Sequence, residues 1–152
     1  MWKRKLLWTL LLGSAMAVAQ TGVGPKPATE GCPWITQGSA ARALGGDVTV
    51  TVAVTSSNDG SCVFSRPPQS LEIMVSEKPV ASCPAGSAQL KGVGNEAFRC
   101  SPPSARGTEI EMISSRVRNI FFVVSLSSQG RRSAKPDDVL EQIAEQVAGS
   151  LY

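Results

Sequence analysis

The chain of 152 residues contains no histidine. That absence removes Ser-His-Asp and Cys-His nucleophilic sites and imidazole-based metal centres, so a catalytic reading is left to carboxylates or to rarer nucleophile arrangements. None of the four cysteines forms a Cys-x-x-Cys pair, which excludes a thioredoxin-like redox site and leaves zinc without paired thiolates. A charge excess is lacking too, once the N-terminal leader is set aside. Lys3, Arg4 and Lys5 fall in that leader, and the 12 basic residues that remain of the 15 balance 12 acidic ones. A neutral chain carries no electrostatic footprint for nucleic acid or for an anionic membrane. The apolar stretch from Leu6 to Ala17 falls short of the ~20 residues a bilayer span needs.

The first 19 residues have the grammar of a signal peptide. Trp2-Lys3-Arg4-Lys5 is a basic n-region, Leu6 to Ala17 a mostly apolar h-region, and Ala17-Val18-Ala19 a small-x-small site, so cleavage is expected after Ala19. No cysteine follows the cut, and Cys32 lies too far downstream to be a lipid-modified first residue. The expectation is a secreted or periplasmic protein without a membrane span after cleavage. Residues 20–31, with Pro25, Pro27 and three glycines, read as a disordered tether, and residues 32–152 as one domain.

Cys32, Cys62, Cys83 and Cys100 all lie in that domain, and export places them where disulfides persist. Of the three connectivities open to four cysteines, Cys32 with Cys62 and Cys83 with Cys100 are favoured, because each closes a local loop within one half of the chain.

Thr36 is suited to cap a short alanine-bearing helix over Gln37 to Leu44, stopped by Gly45-Gly46. From Asp47 the period changes to two. Val48, Val50, Val52 and Val54 alternate with small polar residues as on a half-buried strand. Five further strands are expected at Ser61 to Ser65, Ser70 to Ser76, Glu96 to Ser101, Thr108 to Ser115 and Ile120 to Ser127. Pro67-Pro68, Gly92-Val93-Gly94-Asn95 and Arg118-Asn119 mark reversals between them. Residues 77–92 carry Pro79, Pro84 and Gly86 and read as irregular, with room for a helical turn or two over Ala85 to Leu90. The run Ile120 to Leu126 is apolar on both alternating faces, which places it inside the sheet. A last helix after Pro136 lines up Leu140, Ile143, Ala144, Val147 and Leu151. The fold class is therefore α+β: an antiparallel sheet of about six strands, with a short N-terminal helix and a C-terminal helix packed on one face.

Cys32 ahead of the Thr36-capped helix, the Gly45-Gly46 stop, Gly60 to Phe64, Gly92 to Phe98 and Arg118 to Phe122 before a terminal helix resemble secreted bacterial domains of unknown function. Such domains occur in envelope proteins and lipoproteins. The resemblance implies the same α+β fold and supplies no catalytic residue, and the lipobox common among those proteins is absent here.

Glu109 and Glu111 share one strand face and could act together, although a solvated strand face explains them as well, and Asp137 and Asp138 have a similarly ordinary explanation as helix-start residues. Gly92-x-Gly94 lacks the third glycine and the following helix of a phosphate loop and reads as a turn. Arg116, Arg118, Arg131 and Arg132, at hairpin or loop tips, together with Phe121, are the candidate binding surface for an anionic ligand or an acidic partner. The composite expectation is an exported, non-catalytic binding domain, without cofactor, whose partner is another envelope or extracellular protein. A carboxylate-dependent hydrolase and a structural envelope component that self-associates through its sheet are the alternatives.

Overall fold

The computed structural model describes residues 31–130 and 137–152. The expected leader, most of the tether, Arg131, Arg132 and Pro136 lie outside the described residues.

Helix α1 spans Gln37–Leu44. The Thr36 hydroxyl accepts the Ser39 N–H at 3.1 Å, satisfying one of the free donors of the first turn. Gly45 ends the helix in the left-handed region at φ 78°, and the Gly46 N–H donates back to the Ala41 carbonyl. Only a residue without Cβ adopts that conformation freely, which is why the Gly-Gly pair stops the helix there.

Seven strands follow: β1 Thr49–Ser56, β2 Asp59–Arg66, β3 Gln69–Ser76, β4 Ala88–Leu90, β5 Glu96–Cys100, β6 Thr108–Val117 and β7 Ile120–Gln129; helix α2, Asp137–Ser150, closes the chain. The strand count corrects the expected six. Ala88–Leu90 is a short strand and not a helical turn, because its backbone pairs antiparallel with Ala97 to Arg99. Pairing with a distant strand overrides what a three-residue segment prefers locally.

All ladders are antiparallel, in the order β1-β2-β3-β7-β6-β5-β4. Two meanders thus meet at β3 and β7, and β7 is the central strand. The β3/β7 register stacks Leu71 on Leu126, Ile73 on Val124 and Val75 on Phe122. These six residues, with Phe64, Ile113 and Val117, form the sheet side of the main core. Ala40 and Leu44 of α1, and Leu140, Ile143, Ala144 and Val147 of α2, cover the same face. Burying such a leucine or isoleucine contributes roughly 1.5–3 kcal/mol, so this layer dominates the stability of the domain. No helix among the described residues is long and apolar enough to cross a membrane.

Two disulfides hold the layers: Cys32–Cys62 joins the segment before α1 to β2, and Cys83–Cys100 joins the loop after β3 to the end of β5. Both pairings match the expectation. Trp34 is buried, and its indole N–H donates to the Ser57 carbonyl at 2.9 Å, fastening the entry to α1 onto the β1–β2 turn.

Candidate functional site

The face of the sheet opposite the helices carries the other half of each alternation, and residues 77–87 cross part of it as a strap. Cys83 is fixed twice: by its bond to Cys100 and by its backbone N–H, which donates to the buried Ser114 hydroxyl at 3.0 Å. Beneath it, Met112 and Val123 are buried, with Val80, Phe98 and Cys100 packed against them as a second, smaller core. The strap is what covers the second face of β7. Val123 is only 8% exposed, whereas its cross-strand neighbour Met74, beyond the strap, is 39% exposed.

At the end of the strap nearer the β6–β7 turn the covering is incomplete. A cleft of about 240 Å³ opens there, walled by Val80 to Cys83 and lined on the sheet side by Phe98, Ser114, Phe121 and Arg116, with Glu96 beside them. Arg116 and Phe121 are opposite each other in the β6/β7 ladder, and Arg116 and Glu96 in the β5/β6 ladder. The Arg116 guanidinium lies 3.8 Å from the Glu96 carboxylate, and both side chains are about half exposed. So loose a pair contributes little and leaves the guanidinium able to turn to another anion.

The β6–β7 reversal is a two-residue turn with Arg118 at φ 55°. Asn95 supports it from the neighbouring loop: its side-chain carbonyl accepts the Arg118 N–H at 2.7 Å, and its own N–H donates to the Arg116 carbonyl at 2.8 Å. Gly94 sits at φ 68°, where an added Cβ would meet the Arg116 carbonyl oxygen at 2.7 Å. The Gly92-x-Gly94 segment is therefore a packing turn that braces the end of the cleft. The Arg118 guanidinium lies over the Tyr152 ring, 6.0 Å from its centroid, at the outer limit of a cation–π contact.

Of the five residues read as a binding surface, Arg116 and Phe121 come together in the cleft and Arg118 stands on the adjoining turn. Arg131 and Arg132 lie outside the described residues. Gly130, which precedes them, is at the opposite end of β7 from that turn, where its N–H donates to the Gly107 carbonyl. Phe98, Val80 and Cys83 belong to the same cleft; the sequence marks Cys83 only as a disulfide residue and gives Phe98 and Val80 no binding role. The only signal for them was the apolar character of residue 98 and the cysteine at 83.

The carboxylate pair lies on the helix-facing side of β6, beyond the reach of the helices. Glu111 accepts from Arg99 at 3.0 Å, a diagonal cross-strand ion pair with side chains 16% and 20% exposed. Glu109 is exposed, beside a separate open depression of about 440 Å³ bordered by Ser101, Pro102 and Ser104. No group of three or more cysteine or carboxylate side chains among the described residues is placed to hold a metal ion. Comparison with known protein families, with curated proteins and with solved structures finds no match for this chain.

Proposed function

We propose that this chain is an exported, non-catalytic binding domain that receives an apolar body bearing one anionic group in the cleft beneath the strap. The observation that carries this reading is the cleft's chemistry: aromatic residues Phe98 and Phe121 stand beside one weakly engaged cation, Arg116, under a segment fastened by Cys83–Cys100. Apolar surface with a few convergent polar groups is the usual make-up of a small-ligand site. The export element rests on the leader-like first 19 residues and agrees with two disulfides, which persist outside the reducing cytosol. The absence of histidine supports a non-catalytic role.

The aromatic sulfonate 1-anilinonaphthalene-8-sulfonate has both features of the expected ligand, and its fluorescence rises on transfer to an apolar site. Titration should show saturable binding to the native protein. Arg116→Gln should weaken it about three- to tenfold, and Glu96→Gln, which frees the guanidinium, should tighten it. Unchanged affinity in the Arg116 variant, or no binding at all, would overturn the assignment. A carboxylate-dependent hydrolase built on Glu109 and Glu111 is the weaker reading, since Arg99 already engages Glu111. Turnover of ester, glycoside or peptide substrates that is lost in Glu109→Ala would revive it.

A further inference from the structure

The sheet has two outer edges, and they are treated very differently. At one, β4 has only three residues, Ala88–Leu90, and is followed directly by Lys91 and Gly92. A short edge strand with an adjacent lysine resists pairing with other chains. The free half of β6 near Thr108 carries Glu109 and Glu111, and the Ser104 hydroxyl bonds back onto the Thr108 carbonyl. At the other edge stands β1, eight residues long, Thr-Val-Thr-Val-Ala-Val-Thr-Ser, with no charge, no proline and no glycine. Among the described residues it pairs only with β2, in regular register from Thr49 to Val54 and with a bulge at Thr55 before the turn; along the regular stretch every second N–H and C=O points outward, and no backbone group among the described residues bonds to them.

The regular stretch Thr49 to Val54 of such an edge accepts an extended strand, and what it accepts must match its two faces. On the helix side, Val50, Val52 and Val54 are only partly buried against the main core; on the other side, Thr49, Thr51, Ala53 and Thr55 are exposed. The strand that matches both faces is β1 itself. We infer that β1 pairs antiparallel with β1 of a second copy of this chain, about a two-fold axis at Val52. In this register Val50 faces the partner's Val54, Val52 faces the partner's Val52 and Thr51 faces the partner's Ala53, and the paired stretch ends before the bulge at Thr55. Valines stay on the helix side, small residues stay on the other, and the two sheets join into one. No charged residue lies in the paired stretch, so no like charges meet there. The chain's own residues 20–31 are a poorer occupant, because Pro25 and Pro27 lack the N–H groups a ladder requires.

Sedimentation velocity over a range of protein concentrations tests the pairing. Thr51 and Ala53 are exposed, so charges placed there leave the monomer fold intact, which an unchanged thermal transition would verify. The wild-type chain should show concentration-dependent dimers. In Thr51→Lys/Ala53→Lys, lysine faces lysine twice across the axis, and the dissociation constant should rise by about tenfold or more. In Thr51→Lys/Ala53→Glu, lysine faces glutamate twice, and dimerisation should return. A wild-type chain that stays monomeric throughout would overturn the inference and leave the edge to another protein's strand. Dimers indifferent to the double-lysine variant would overturn it by placing the contact elsewhere. Neither result touches the cleft, whose probe binding is read independently.

Discussion

Single residues set how firmly the cleft is built. Gly94 combines φ 68° with a backbone oxygen 2.7 Å from where a Cβ would stand, so Gly94→Ala meets conformational strain and a clash that flexible side chains cannot relieve. Urea denaturation should show a loss of about 2 kcal/mol or more. Ser114 is buried and supplies the acceptor for the Cys83 N–H. Its replacement by alanine leaves a donor unsatisfied under the strap, which costs about 1–3 kcal/mol. Hydrogen exchange should localise the effect, with faster exchange at the Cys83 amide and little change in β3 or β7. Neither role shows in the sequence, where Gly94 reads only as a turn residue and Ser114 as one of several polar residues in its strand.

Among the elements, helix α1 and the central strand were readable from short-range pattern. The Thr36 cap, the 37–44 span and the glycine stop each depend on residues within one or two turns of one another. Thr36→Ala should lower stability by about 1 kcal/mol, measured by thermal or chemical unfolding. Helix α2 places Leu140, Ile143, Ala144 and Val147 in the core, as its spacing predicts. Leu140 is fully buried, so Leu140→Ala should cost about 2–5 kcal/mol, more than the cap, because it opens a cavity between helix and sheet. Strand β4 escaped notice for the opposite reason. Three exposed or half-exposed residues have no period to read, and only β5 makes them a strand.

For the whole molecule, the two disulfides divide the labour. Each closes a loop of tens of residues or fewer and contributes about 3 kcal/mol by restricting the unfolded chain. They should differ in what else they affect. Cys83→Ser/Cys100→Ser should reduce stability by that order and also abolish aromatic-sulfonate binding, since the strap is released from the cleft. Cys32→Ser/Cys62→Ser should reduce stability comparably and leave the cleft's affinity unchanged, because it tethers the segment before α1 on the opposite face. A titration of both variants under folding conditions distinguishes them. Local regularities alone were enough to specify two helices, six of the seven strands, both cysteine pairings and the inward position of Ile120 to Leu126. Period, caps and short loop closures act over few residues and leave their mark in composition. The meeting of β3 with β7, the strap over Val123, the gathering of Arg116, Phe121 and Phe98 into one cleft, and the outer position of β1 in the sheet came only with the assembled chain. Each depends on which distant surfaces are brought together, and burial and pairing across the whole sheet settle that, not the preferences of any one segment.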